Sequence, residues 1–298
     1  MACSNAQSPK FSCANQTEQA LTYNVRELPE TTNFETAPTT HGTIQQDEIS
    51  GIVRSTNNPD AIWAIQDSGN GNNLYLYHTN TAEILAIYKL EGMINNDWED
   101  LASGYSTSMG NYLLIPDFGN NKLASKDYTI YRFTEPDEPL NGITITPIKT
   151  TFEELHYKYP DGNHNAEALI CDPQTQDLYI ITKAANKALV YIYPFPQSNN
   201  QVDTVTYLGS LPINKVTAAD YNDLTQELVV KEYDRILYFK NTEALPLCQL
   251  LFTEPLIAPY RPVEPQGEAI CWSSGNYFTL SEKDDGVIPV LYQYHTNQ

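Results

Sequence analysis

The chain has 298 residues, with 37 acidic and 17 basic side chains and a formal net charge of −20. That balance argues against nucleic acid and anionic membrane surfaces, where Lys and Arg must neutralise phosphates, and it draws cations to the protein. No apolar run reaches the roughly 18–20 residues of a membrane span, and a hydrophobic content of 41% is enough for one sizeable core.

The first residues, Met-Ala-Cys3-Ser-Asn-Ala-Gln-Ser, resemble the start of a bacterial lipoprotein. The Ala-Cys pair looks like the end of a lipobox, although no basic or apolar leader precedes it. A lipid anchor at Cys3 is therefore expected, as is export to the periplasm, the cell surface or the medium. Residues 1–20 read as a flexible polar tether, and residues 21–298 as the folded domain. Of the five cysteines, Cys171 and Cys271 lie in apolar strand-like segments and are expected to be buried thiols. No CxxC spacing points to zinc. A disulfide is open, with no pairing readable.

Next comes a theme repeated along the chain: Glu48-Ile-Ser-Gly-Ile, Glu99-Asp-Leu-Ala, Glu167-Ala-Leu-Ile, Val-Thr-Ala-Ala-Asp220-Tyr and Glu268-Ala-Ile-Cys-Trp. The carboxylates stand 51, 68, 53 and 48 residues apart. A period of about 40–50 residues with several strands per unit is the mark of a β-propeller. The first unit is predicted as Ile49–Arg54, Ile62–Gln66, Leu74–His78 and Ile84–Leu90. The second reads Leu101–Tyr105, Tyr112–Pro116, Thr129–Phe133 and Ile143–Lys149. The third reads Ala168–Cys171, Leu178–Thr182, Ala188–Tyr193 and Thr204–Leu211. The fourth reads Thr217–Tyr221, Glu227–Lys231, Ile236–Phe239 and Leu247–Phe252. The fifth, Ala269–Trp272, Tyr277–Ser281 and Val290–Tyr294, lacks an outer strand. The expectation is an all-β chain forming a single propeller, five blades of four antiparallel strands, with Leu21–Leu28 adding to the last blade to hide its edge. Six blades is the alternative, if the stretch from Phe152 to Asn163 holds another.

In such a fold Glu48, Glu99, Glu167, Asp220 and Glu268 would ring one mouth of the central channel. Asp67, Asp117, Lys183, Lys231 and Glu282 or Lys283 would surround them. Carboxylates so close cannot all ionise unopposed. They would accept backbone N–H groups and lock the blades, or hold a hard cation such as Ca²⁺, or form an active site. Asp67-x-Gly-Asn70 and Asp117-x-Gly-Asn120 offer carboxylate and amide oxygens on tight turns, the donors such an ion takes. His164, three residues before Glu167, is the histidine placed to act as acid, base or ligand. Trp98 is expected in the core. Nucleophile-elbow, HExxH and P-loop patterns are missing from the sequence.

The motifs Asp97-Trp-Glu-Asp-Leu-Ala, Asp117-Phe-Gly-Asn-Asn, Tyr159-Pro-Asp-Gly-Asn-His-Asn-Ala-Glu-Ala-Leu, Leu178-Tyr-Ile-Ile-Thr-Lys and Gln266-Gly-Glu-Ala-Ile resemble a family of poorly characterised bacterial exported propellers. That family is similar to the YjiK-like and phytase-like (esterase-like) propellers. The resemblance implies export, and through phytase-like relatives it implies Ca²⁺ in the channel and phosphate-ester chemistry. The acid-rich ring departs from that pattern, since a phosphate site needs Lys and Arg.

The leading expectation is an exported propeller that binds Ca²⁺ at Glu48, Glu99, Glu167, Asp220 and Glu268. It would serve as a monomeric module for a small ligand or protein partner, with Asp67, Asn70, Asp117, Asn120, Lys183, Lys231 and Lys283 around the ligand. The alternative is a metal-dependent hydrolase of phosphate esters with His164 and Glu167 catalytic. Whether the chain is an enzyme stays open at this point.

Overall fold

The computed structural model describes residue 13 and residues 18–137, 140–283 and 286–297. Five sheets stand in a ring. From the channel outward, blade 1 is Ile49–Arg54, Ala61–Gln66, Asn73–His78 and Ile84–Leu90. Blade 2 is Ala102–Ser106, Gly110–Asp117, Tyr128–Thr134 and Phe152–Lys158. Blade 3 is Ala166–Cys171, Leu178–Thr182, Ala188–Tyr193 and Thr206–Leu211. Blade 4 is Val216–Asn222, Glu227–Glu232, Ile236–Phe239 and Leu256–Ala258. Blade 5 is Gly267–Ser273, Asn276–Ser281, Val290–Tyr294 and Thr39–Thr43.

Strand alternation explains why the blades stack. Successive side chains point to opposite faces, and both faces of a blade are covered by its neighbours. In Ile62-Trp63-Ala64-Ile65, Trp63 and Ile65 pack toward blade 2, while Ile62 and Ala64 pack toward blade 5. Such strands read as almost continuous apolar runs. One apolar cluster fills each interface, including the one between blades 5 and 1, so the ring closes at five.

Closure comes from an N-terminal strand, but not the expected one. Thr39–Thr43 pairs antiparallel with Val290–Tyr294. Leu21–Leu28 instead contains a short 3₁₀ turn, Val25–Glu27. Its Leu21, Tyr23, Val25 and Leu28 pack on the core between blades 3 and 4.

Two further strand assignments change. Ile145–Ile148 is not the outer strand of blade 2. It runs parallel to Ile84–Leu90 on the rim of blade 1, an edge position that tolerates Pro147, which has no N–H. Phe152–Lys158 takes the outer place, so that stretch is part of blade 2 and not of a sixth blade. Leu247–Leu250 is a helical turn preceded by Pro246. Leu247 and Leu250 of this turn and Leu251 just after it are buried, a helical spacing within a run that also suits a strand.

Cys13 is disulfide-bonded to Cys248, and Gln19–Ala20 runs parallel to Thr206–Leu211. Cys13 and residues 19–20 thus lie on the propeller and not in a free tether. Cys3 is outside the described residues. Cys171 and Cys271 are buried free thiols, as expected. Among the described residues no helix is long and apolar enough to cross a membrane.

Candidate functional site: a carboxylate mouth

The inner strands begin with a bulge. The register shifts between Ile49 and Gly51, Ala166 and Ala168, Val216 and Ala218, and Gly267 and Ala269. In blade 2, Trp98 bridges Asp117 and regular pairing resumes at Ala102 with Leu114, which puts Glu99 at the same step. A bulge leaves one residue unpaired and re-aims its side chain. The residues so placed are Ser50, Glu99, Glu167, Thr217 and Glu268.

Two of the expected ring members are therefore elsewhere. Glu48 precedes the bulge with a left-handed φ of 54° and is exposed on the rim, where its Oε2 accepts from Asn70 Nδ2 at 2.6 Å. Asp220 lies three residues beyond the bulge, toward the far end of the channel. Its Oδ1 accepts from Tyr221 N at 2.8 Å and its Oδ2 from Trp272 N at 2.7 Å. It is not part of the mouth, and Thr217 stands in its place, bonding Gly267 O at 3.2 Å.

The second strands end at the same level. Asp67 N, Lys183 N and Glu282 N each donate to the residue that enters the neighbouring inner strand, and Gly119 N does so in blade 2. The surrounding positions are thus Asp67, Gly119, Lys183, Glu282 and, following Glu232, Tyr233. Gly119 leaves room that two carboxylates use: a Cβ there would lie 2.2 Å from Glu99 Oε1 and 2.5 Å from Asp97 Oδ2. Gly119→Ala is expected to displace both side chains and to cost about 1–3 kcal/mol of stability, read by denaturant unfolding. Wild-type stability in that variant would mean the two carboxylates are loosely held.

Asp67, Asp97 and Glu99 each offer an oxygen, all within 4.8 Å of one another. Glu99 is 5% exposed, and among the described residues its Oε1 is buried with no hydrogen-bond partner. Burial, then the charges of Glu167 and Asp67, raise the Glu99 pKa well above the carboxylate range. Burial also lifts Asp67 to about 6, Glu167 to about 7 against the opposing pull of Lys183, and Glu282 to about 8 with help from Glu268. Glu268 is raised by burial too. The ammonium facing this group is Lys183, 3.1 Å from Glu167 Oε2 and over the Tyr233 ring. Burial alone would lower its pKa, but Glu167 and Glu268 outweigh that and raise it.

The remaining candidates are engaged elsewhere. Asp117 accepts from Asp97 N at 2.7 Å and Asn96 Nδ2 at 2.6 Å, so it shapes the loop that carries Asp97. Asn120 caps its own loop through Ala124 N and Ser125 N. Lys231 is wholly buried, donates to Gly267 O at 2.6 Å and sits over Tyr260; it cannot reach a ligand at the surface. Burial lowers its pKa to about 8. Lys283 pairs with Asp47 at 2.9 Å on the surface. Among the described residues His164 shares no hydrogen bond with Glu167. Its Nε2 faces Asp161 at 3.1 Å and Tyr191 at 3.0 Å, and Tyr159 meets its ring edge-on. Trp98 is buried in the core between blades 1 and 2.

No family model matches the chain, and no curated protein does. Among solved structures, the crystal structure of a nidogen/laminin complex aligns with 79% of this chain and 72% of its own, at 11% identity and a TM-score of 0.42. None of these comparisons supports the resemblance to YjiK-like and phytase-like propellers.

Sequence reasoning missed Asp97, Gly119 and Asp100. Asp100 is fully buried: Oδ1 accepts from Leu101 N at 2.8 Å, and Oδ2 from Leu169 N at 2.9 Å and Ala219 N at 3.4 Å. It joins blades 2, 3 and 4 at the axis. The locking role expected of the mouth carboxylates thus belongs to Asp100 and Asp220, with Ser50 bonding Trp98 O at 2.9 Å between blades 1 and 2. The charged pair Glu99-Asp100 was itself a signal, because neighbours in a bulged strand need not serve one purpose.

Proposed function

We propose that this chain is an exported binding module whose channel mouth takes a divalent cation, with Ca²⁺ the best fit. The observation that carries the reading is the Asp67, Asp97 and Glu99 cluster, in which the buried Glu99 Oε1 has no hydrogen-bond partner among the described residues. Oxygens bound at 2.3–2.6 Å to one ion are at most about 5 Å apart, and the cluster meets that limit. Ca²⁺ takes six to eight oxygens, so solvent or a ligand would complete the shell. The ligand or protein partner would then be held partly through the ion. The Cys13–Cys248 disulfide supports an oxidising compartment. In the same reading Cys3 carries lipid.

The test is a thermal melt in EDTA with Ca²⁺, Mg²⁺ and Mn²⁺ added back. Ca²⁺ at 100 times its dissociation constant is expected to add about 2.7 kcal/mol, and Glu99→Gln to remove the shift. If no ion moves the metal-free protein, the cation reading is wrong.

A second reading has one observation behind it. Beside the mouth lies a depression of about 640 Å³ lined by Lys183, Lys187, Lys215, His164 and several Asn side chains, with no Asp or Glu among its lining residues. In so acidic a chain that favours an anionic ligand, and with a bound cation it suits a phosphate ester. Ca²⁺-dependent hydrolysis of p-nitrophenyl phosphate by the same preparation, lost in Lys183→Met, would move the reading to the hydrolase.

A further inference from the structure

The far end of the channel carries a separate feature. The C-terminal ends of the inner strands from all blades converge there on a cavity of about 190 Å³, the space of roughly six waters at about 30 Å³ each. Arg54 ends the inner strand of blade 1 and lines this cavity. Among the described residues its Nε is buried without a hydrogen-bond partner, and Arg54 makes no ion pair. Asn222, at the end of the blade 4 inner strand, lines it as well and is 4% exposed. Its Oδ1 accepts from Leu224 N at 3.0 Å and Thr225 N at 3.3 Å. Those bonds fix the amide, and its Nδ2 is left buried with no partner among the described residues. The strands that carry the two residues approach each other across the channel.

Two residues that line the cavity thus carry N–H donors with no acceptor among the described residues, one on a group that is always cationic. Buried donors are normally paired, so both call for an acceptor. Asp220 lines the same space, yet each of its oxygens already holds a backbone N–H. Asp223 sits on the exposed rim, where water screens it.

We propose that this cavity binds a small aliphatic carboxylate, its carboxyl group held between the Arg54 guanidinium and the Asn222 amide. The planar guanidinium fork matches a carboxylate's two oxygens. The volume restricts the ligand to a short free acid and leaves no room for a folded partner. The Trp272 ring forms one wall. It is fixed because its N and Nε1 both bond Asp220. The site is distinct from the carboxylate mouth and stands whether or not a cation binds there.

The experiment titrates the full chain with sodium acetate and sodium succinate. Sodium chloride and sodium phosphate are run at matched ionic strength, and tryptophan fluorescence and melting temperature are followed. Saturable binding of a carboxylate is expected, weakened about tenfold or more, 1.4 kcal/mol, in Arg54→Met and less in Arg54→Lys. Trp272→Phe should remove the optical signal and keep the thermal shift. A flat response to both acids overturns the proposal. So does an equal response to chloride or phosphate, or undiminished binding in Arg54→Met. If Arg54→Met does not fold, Arg54→Gln and Arg54→Lys decide between the same outcomes.

Discussion

Replacing Asp100 by Ala is expected to lower the unfolding free energy by roughly 3–5 kcal/mol, because three buried backbone donors lose their acceptor; burial holds this carboxyl well above the usual carboxylate range, so the loss is one of hydrogen bonds and not of an ion pair. The reason is local. Leu101 N, Leu169 N and Ala219 N converge on this carboxyl from blades 2, 3 and 4. Without it, those donors face the filled axis of a narrow ring, each carrying a desolvation penalty of about 1–3 kcal/mol, part of which relaxation recovers. No neighbouring side chain can replace it easily, because the blades meet too closely. A Cβ on Gly51 would already lie 2.6 Å from the Asp100 and Leu101 backbone. Asp100→Asn is not an adequate rescue, since both oxygens accept and an amide turns one of them into a donor. It should lose about half as much. Urea unfolding of the two variants beside Asp223→Asn, a rim control, gives the measurement. A loss under about 1 kcal/mol in Asp100→Ala would show that the blades do not depend on this bridge.

In the absence of divalent cations the protein is expected to become less stable as pH rises from 5 to 8. Asp67, Glu167, Asp220 and Glu282 are held at about 6, 7, 7 and 8 by burial first, against about 3.9 for Asp and 4.3 for Glu in an unfolded chain. For an acid whose folded pKa is raised, the folded state binds the proton more tightly. Its stabilisation is complete below the unfolded pKa and is lost as pH climbs through the folded one. The window is therefore about pH 4 to 8. At 1.36 kcal/mol per pKa unit each of these groups, taken singly, contributes on the order of 3–5 kcal/mol, and because neighbouring carboxyls share protons the four do not simply add. Lys231, lowered to about 8 by burial, acts with the opposite sign, gaining stability above that pH. A cation at the mouth competes with the protons of Asp67, Glu167 and Glu282, so Ca²⁺ should stabilise little at pH 5 and most at pH 8, flattening the profile. Melts across this range in EDTA and in Ca²⁺ test both halves. A flat or rising EDTA profile would mean the mouth carboxyls are not held protonated.

The two ends of the channel differ in kind. At one, the carboxyls of Asp67, Asp97, Glu99, Glu167, Glu268 and Glu282 gather around Lys183. At the other, Arg54 and Asn222 carry donors with no acceptor among the described residues. Between them Asp100 and Asp220 are consumed by backbone N–H groups. A single repeated sequence theme thus supplies opposite chemistries, because residues three apart on an inner strand reach different levels of one axis.

The number of blades, the strands nearest the axis and the burial of Cys171 and Cys271 were legible in the sequence, because strand alternation and repeat period are local properties. Leu178–Thr182, Ala188–Tyr193, Ile236–Phe239 and Val290–Tyr294 form where their apolar pattern puts them. The closing strand was not legible, since the weakly patterned Thr39–Thr43 is a strand only because Val290–Tyr294 offers it an open edge. The make-up of the mouth was decided by tertiary structure for a sharper reason. A bulge shifts the register by one residue, and a shift of one residue turns a side chain to the other face. That step places Glu99, Glu167 and Glu268 at the mouth, replaces Glu48 and Asp220 by Ser50 and Thr217, and brings Asp97 beside Gly119 through one extra residue in blade 2. Composition shows that carboxylates are plentiful in this chain; only the register of each bulge decides which of them meet.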